Sequence, residues 1–128
     1  QSSRTFIYDT APPPAIAAAT LAALDLIEND NSIIARLKSN IAYFKSLAGN
    51  LPLLPSSTPI QAYMVGDEGV ALNIAKALRE SGVYVRAIRP PTVPAGTARL
   101  RICLSAAHTH DDLERFVSSL HDVTAAAL

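Results

Sequence analysis

Two arginines, Arg99 and Arg101, stand two positions apart in residues 98–104, where every second side chain is aliphatic. Because successive side chains of a β-strand point to opposite faces, both guanidinium groups share one face of the sheet. A guanidinium binds a carboxylate or phosphate through two parallel charge-assisted hydrogen bonds. We expect the preceding loop to bring Thr92 and backbone amides to the same end of the sheet. The pattern indicates, in outline, a site for a carboxylate or phosphate.

The same pattern has a plainer explanation. Charged side chains often occupy an exposed sheet face simply because they are solvated there. Periodicity alone does not choose between a solvated face and an anion site, so both interpretations of Arg99 and Arg101 stay open at this point.

The other reactive residues form no recognisable catalytic or metal-binding pattern. His108 and His110 fall at a predicted helix start, where capping or exposure is the ordinary role, and no matching spacing of Cys or carboxylate residues accompanies them. We expect Cys103 to be a buried, inert thiol, since no histidine is placed to act as its base. Residues 66–69 lack the Gly-Lys-Ser/Thr ending of a phosphate loop and carry two carboxylates, which predicts a strand-to-helix turn. We predict no metal site.

The arginines need a sheet to position them, and the rest of the chain predicts helices that cover one face of that sheet. Apolar spacing and caps predict strands at 60–65, 83–88 and 98–104, and helices at 14–29, from a cap at Asp30 or Asn31 to 49, from a cap at Asp67 to 82, and from Thr109 onward. The fold class is therefore a two-layer α/β (α+β) domain with a small, mostly antiparallel sheet. Its uncovered face carries the arginines.

Composition excludes several classes of function. The 128 residues include 11 Lys or Arg and 11 Asp or Glu, so there is no broad basic field for a nucleic acid or an anionic membrane. A single cysteine excludes an intrachain disulfide and is typical of a reducing compartment. The opening sequence lacks the order of a signal peptide, and no apolar run approaches the length of a membrane span. We expect a cytoplasmic protein without a nucleic-acid or membrane partner.

The predicted first helix, at 14–29, is apolar on nearly all sides, as in helices that pack against several neighbours. A domain of this size hardly covers such a helix by itself. The sequence also begins with Gln1 rather than Met. Both features predict that this chain is part of a longer protein.

Residues 87–109 resemble the C-terminal signature of the pyridoxal-phosphate-dependent α-oxoamine synthases. The portion Ile-Arg-Pro-Pro-Thr-Val-Pro, at 88–94, is most similar to the members that act in biotin biosynthesis. Residues 6–14 are similar to the segment that follows the cofactor-lysine region of that family, and residues 64–67 fit the strand between. The resemblance covers essentially the whole chain in the same order.

The resemblance implies that residues 1–14 lead in from a missing N-terminal large domain and that residues 15–128 form the C-terminal small domain of a homodimeric fold-type I enzyme. Such an enzyme joins an amino acid to an acyl-CoA or acyl-carrier thioester with loss of carbon dioxide. Biotin-pathway members use alanine and a pimeloyl thioester, and other members use glycine or serine. Arg101 matches the arginine that holds the amino-acid carboxylate, Thr92 matches the loop threonine near the substrate, and Arg99 is then structural. Thr10 rather than Asp9 is the expected contact of the cofactor phosphate, because a carboxylate beside a phosphate is unfavourable.

The resemblance also implies what this segment lacks. The Schiff-base lysine, the acidic partner of the pyridine nitrogen and the ring-stacking histidine precede it in the family, so we expect no catalytic residue here. Lys38, Lys45 and Lys76 fall on predicted helices and are expected to be solvated. We therefore expect the 128-residue chain to be inactive alone. A noncatalytic α/β interaction module that kept the fold is the alternative.

Overall fold

The computed structural model describes residues 10–127, which form two compact units. One unit ends at Ile34 and the other begins at Ala35. The elements in chain order are α1 (Pro14–Asn29), α2 (Asn31–Ala48), β1 (Ile60–Gly66), α3 (Glu68–Glu80), β2 (Arg86–Ile88), β3 (Ala98–Cys103) and α4 (His110–Ala127). The predicted order of helices and strands is confirmed.

The sheet has three antiparallel strands in the order β1-β3-β2, so β3 lies in the middle. Leu100 pairs with Tyr63 on one side and with Ala87 on the other, and Ile102 pairs with Gln61. Directly opposite residues of antiparallel strands point to the same side, so these side chains share one face. The predicted small antiparallel sheet is confirmed.

Helices cover that face and bury it. Helix α3 lies against all three strands, and α4 packs along α3. The alternation predicted for β3 is confirmed, because Leu100 and Ile102 are buried while Arg101 and Cys103 are exposed. The helices add their own buried apolar residues to the core: Phe44 and Ala48 from α2, Ala71, Ile74 and Leu78 from α3, and Leu113, Phe116, Val117 and Leu120 from α4.

The predicted caps of α3 and α4 are both present. A carboxylate oxygen of Asp67 accepts a hydrogen bond of 2.8 Å from the backbone N–H of Val70. At the start of α4 the backbone N–H of Thr109 donates to the Asp112 carboxylate, and the backbone N–H of Asp112 donates to the Thr109 hydroxyl oxygen. Such reciprocal bonds satisfy amides that the helix itself leaves unpaired. They fix where both helices begin.

Strand β2 is shorter than predicted. The sequence predicts a strand from Val83, but the paired residues begin at Arg86. Gly82 has a φ of 81°, and the Val83 backbone N–H donates to the carbonyl oxygen of Leu78. This hydrogen bond closes the last turn of α3, so the chain leaves the helix before it reaches the sheet.

Asn40 of α2 is buried, although it is polar and the apolar spacing of this helix does not include it. The residue is 5% exposed, and its side-chain amide donates 2.9 Å hydrogen bonds to the carbonyl oxygens of Ser105 and His108. A buried amide is stable when its donors are satisfied in this way. Asn40 therefore ties α2 to the loop between β3 and α4.

Helix α1 belongs to the other unit and has no buried residue. Its large apolar side chains, such as Leu21 and Ile16, are more than half exposed, at 67% and 57%. The helix keeps the boundaries that the sequence predicts, with Pro14 in its first turn. In residues 10–127 no helix combines the length and the hydropathy needed to cross a membrane.

Candidate anion-binding site

The uncovered face of the sheet carries three arginines. Strand pairing places Arg101 opposite Ala62 of β1 and opposite Arg86 of β2. On the same face Arg99 lies opposite Met64 of β1 and Ile88 of β2. Apart from Arg86, the residues paired with Arg99 and Arg101 on this face are therefore small or apolar.

Arg99 and Arg101 differ in what holds them. Arg99 is half-buried, and its Nε–H donates to the Thr97 carbonyl oxygen at 3.0 Å while a terminal N–H₂ donates to the Thr97 hydroxyl at 3.1 Å. Arg101 is exposed and has no hydrogen-bond or ion-pair partner among the described residues. All five of its donors are available to a ligand. Strand position alone did not distinguish the two arginines, whereas these contacts do.

Arg86 is a residue of this face that the sequence analysis missed. It is exposed and directly opposite Arg101, although the long loop at 89–97 separates the two in sequence. The register of two strands joined by such a loop is not readable from alternation, and no other signal in the sequence marks the pair. Like charges directly opposite each other on a sheet are destabilising. An anion between the two guanidinium groups offsets that repulsion.

The loop at 89–97 connects β2 to β3 at the Arg99 end of the sheet, as predicted. Thr92 is exposed there, and its backbone N–H donates to the Arg89 carbonyl oxygen at 3.1 Å. In the described part of the chain the Thr92 hydroxyl makes no hydrogen bond, to either sheet arginine or elsewhere. The predicted substrate residues Arg101 and Thr92 therefore lie on β3 and on the loop that precedes it, and no hydrogen bond joins them in the structure.

Thr10 lies in the unit that ends at Ile34. Its side chain is exposed, and it precedes the proline triplet that leads into α1. Its expected contact with a cofactor phosphate stays a prediction.

The prediction of a buried Cys103 thiol is wrong. Cys103 is exposed because alternation along β3 turns it to the uncovered face, where it pairs with Ile60 of β1. The error came from treating its apolar neighbours as its surroundings, although those neighbours point to the other face. The residue adds a polarisable, weakly polar group near the arginines.

A cavity of about 260 Å³ lies beside this face, at the edge of the sheet, and is lined in part by Cys103, Tyr84 and His108. Its polar groups are committed to structural contacts. The His108 Nδ1 accepts from the Ser105 backbone N–H at 3.1 Å. Asp112, also in the lining, accepts from Thr109 and has its pKa held below the usual value chiefly by the backbone hydrogen bond of that residue. The cavity offers no uncommitted cation, unlike the open face.

Among the described residues, the lysines and the possible metal ligands do not form an alternative binding site. Lys38 and Lys45 are exposed on α2, and Lys76 is exposed on α3, where it lies 4.0 Å from the Glu80 carboxylate. Within residues 10–127 no cluster of three or more His, Cys, Asp or Glu residues is placed to hold a metal ion. The open sheet face differs from these positions because two of its arginines lie directly opposite each other on paired strands.

Comparison with known proteins connects this domain to a family. Residues 1–120 match the family model described as aminotransferase class I and II. The chain is 48% identical over 125 residues to the 8-amino-7-oxononanoate synthase of Saccharophagus degradans, a match that covers 96% of this chain and 32% of that protein. The chain spans about a third of the length of the curated relatives it matches.

Solved structures match the same region. The crystal structure of 8-amino-7-oxononanoate synthase from Francisella tularensis has a TM-score of 0.82 and 30% identity, and the match covers 100% of this chain and 38% of that chain. Serine palmitoyltransferase from S. paucimobilis, with a bound PLP-myriocin aldimine, has a TM-score of 0.88 and 26% identity over 97% of this chain and 32% of that chain. The fold described above is therefore that of about one third of these proteins.

Proposed function

This chain belongs to the class I and II aminotransferase family, and we propose from that premise that it is the C-terminal small domain of an 8-amino-7-oxononanoate synthase. The intact enzyme would join alanine to a pimeloyl thioester with loss of carbon dioxide and use pyridoxal phosphate. We place it in the cytoplasm as a homodimer in which an N-terminal large domain precedes this one. The role of this domain is to hold the amino-acid substrate.

The observation that carries this proposal is the uncommitted guanidinium of Arg101 on the uncovered sheet face. In the proposed complex two of its N–H groups donate to the two oxygens of the amino-acid carboxylate. A planar fork fixes the orientation of that carboxylate and therefore the direction of the bonds at the adjacent carbon. A rigid central strand suits this task, because neighbours on both sides hold β3 in place.

Neighbouring residues support this geometry without touching the substrate carboxylate. Arg99 bonds to Thr97, and the Thr97 hydroxyl donates to the Pro94 carbonyl oxygen at 2.8 Å. These contacts connect the strand to the loop that carries Thr92. We propose that the Thr92 hydroxyl gives a further hydrogen bond to the bound substrate.

The fit of pyridoxal phosphate to this domain is partial. When bound, the cofactor supplies an electron sink for the carbon next to the substrate carboxylate. Thr10 offers an exposed hydroxyl suited to a phosphate oxygen, but the lysines at 38, 45 and 76 lie on solvated helix surfaces away from the arginine face. We propose that the covalent anchor comes from the N-terminal large domain and that this domain contributes Arg101 and Thr92.

The proposal is tested with the full-length protein loaded with pyridoxal phosphate. We expect alanine and a pimeloyl thioester to give 8-amino-7-oxononanoate, detected by mass spectrometry, with carbon dioxide released from carboxyl-labelled alanine. Turnover with glycine or serine and another acyl thioester instead would indicate a different α-oxoamine synthase. A folded protein that turns over none of the three amino acids would favour the noncatalytic module.

A further inference from the structure

Arg86 and Arg101 form a like-charge pair on the uncovered face. Strand register places them directly opposite each other, which puts their Cβ atoms about 4.5–5.5 Å apart. Both side chains are exposed, so they carry two full positive charges within reach of one ligand. Such a pair weakens the sheet unless negative charge is supplied from outside.

Among the described residues, no strand position on this face supplies that charge. The positions that pair across the strands on the same side are apolar or carry a thiol, namely Ile60, Ala62, Met64, Ile88 and Cys103. The third arginine, Arg99, is held by Thr97. The two opposed arginines are therefore the cations left for a ligand.

Arg86 presents its guanidinium in a defined way. Its Nε–H donates to the Tyr84 hydroxyl oxygen at 3.4 Å. That contact uses only the Nε–H, so both terminal N–H₂ groups of Arg86 stay available to a ligand. A guanidinium held through its Nε–H in this way can donate hydrogen bonds from both terminal N–H₂ groups to an anion.

We infer that Arg86 is a second anion-binding residue beside Arg101 and that the two arginines together bind two carboxylates, one each. Two positive charges are matched by two negative ones, whereas a monocarboxylate leaves one arginine unpaired. The inference rests on the proposed function, in which Arg101 holds the amino-acid carboxylate. Arg86 then binds the free carboxylate at the far end of a dicarboxylic acyl chain, which makes it a specificity-determining residue for the acyl donor.

The experiment compares pimelate with heptanoate, because the two have the same chain length and differ in the second carboxylate. Binding to the full-length protein is measured by calorimetry for wild type, Arg86→Gln and Arg86→Lys. We expect Arg86→Gln to weaken pimelate binding about tenfold and heptanoate binding less than about twofold, as expected for the loss of one partly solvated charged contact. Arg86→Lys should keep most of the preference for pimelate, because it keeps the charge.

Arg36→Gln is the matched control, since it removes one exposed positive charge from α2. We expect it to leave both dissociation constants within about twofold, because an exposed charge away from the site is screened. Equal effects of Arg36→Gln and Arg86→Gln on pimelate would overturn the inference. The melting temperature should not fall in Arg86→Gln, since the change removes a repulsion, and a large fall would equally count against the role assigned here.

The inference and the proposed function fail in different ways. If Arg101→Ala abolishes carboxylate binding while Arg86→Gln leaves the pimelate affinity unchanged, the role of Arg86 is wrong and the role of Arg101 stands. In turnover assays the expected split is a raised KM for the pimeloyl thioester in Arg86→Gln and a raised KM for alanine in Arg101→Ala. A heptanoyl thioester that is used as well as a pimeloyl thioester by wild type would also overturn the inference.

Discussion

The two faces of the sheet come from alternate residues of the same strands, yet they are built for different purposes. On the covered face Leu100 is fully buried and its neighbours are apolar or have satisfied hydrogen bonds. On the uncovered face Arg101 and Arg86 lie opposite each other, and in the described part of the chain neither forms an ion pair with a carboxylate. The first arrangement stabilises the fold, and the second costs stability. A face that costs stability points to binding, because repulsion between cations is removed when an anion arrives.

The largest effect is expected on the covered face. Leu100→Ala removes a fully buried side chain from the middle strand and leaves a cavity that the packed helices only partly fill. We expect a loss of about 3 kcal/mol in the free energy of unfolding, within the usual range of roughly 2–5 kcal/mol. Denaturant unfolding of the variant and the wild-type protein measures this loss. A loss below about 1 kcal/mol would show that this face is not the core.

A smaller effect is expected where α2 is tied to the end of β3. Asn40→Ala removes two hydrogen bonds and leaves the carbonyl oxygens of Ser105 and His108 without their donor. We expect a destabilisation of about 1–3 kcal/mol, measured by the same unfolding experiment. Ser39→Ala is the control, since that neighbour is exposed. Equal stability of both variants would contradict the role given to Asn40.

The cap at the start of α4 should make the stability of the fold depend on pH in the acidic range. Hydrogen bonds from the Thr109 backbone N–H and from the Thr109 hydroxyl hold the pKa of Asp112 below its usual value. A carboxylate with a lowered pKa in the folded state stabilises the fold above its unfolded pKa, and that contribution is lost as the pH falls through the folded value. We expect Asp112→Asn to melt below wild type at pH 7. The difference in melting temperature should shrink below about pH 4, and a difference that stays constant down to pH 2 would contradict the assignment.

The smallest effect on stability is expected on the uncovered face. Arg101→Ala removes no contact within the described residues and relieves the repulsion from Arg86. We expect a change of no more than about 0.5 kcal/mol in the free energy of unfolding, in either direction. The same measurement on Arg99→Ala should show a somewhat larger loss, because its hydrogen bonds to Thr97 disappear. Equal, large losses would place both arginines in the structural framework.

Local features of the fold were predictable from the sequence. The caps at Asp67 and Thr109 and the alternation of β3 depend on residues that are close in the chain, and all are confirmed. Features that depend on distant partners were not predictable. The pairing of Arg86 with Arg101 follows from strand register across a loop. The burial of Asn40 requires a turn 65 residues away in the chain.

The candidate site shows the same division. Alternation identified the face on which Arg101 lies and places Cys103 on that face as well, but the apolar sequence neighbours of Cys103 led to a wrong prediction that its thiol is buried. Alternation also did not distinguish Arg99 from Arg101. The two differ in the structure because Arg99 is hydrogen-bonded to Thr97. The sequence identifies the face that we propose to bind an anion, and the structure shows that Arg99 and Arg101 differ in their contacts on that face.

The most direct test of the central claim is the alanine kinetics of Arg101→Ala in the full-length, cofactor-loaded enzyme, beside Arg101→Lys and Arg99→Ala. Loss of a bidentate charged contact of about 2–4 kcal/mol should lower kcat/KM for alanine by about 30-fold to 1000-fold, with the melting temperature unchanged. Lysine should restore activity only in part, because a point charge does not reproduce the planar fork. Alanine kinetics that stay at the wild-type level in Arg101→Ala, or a loss of activity that follows unfolding, would contradict the assignment of this face to substrate binding.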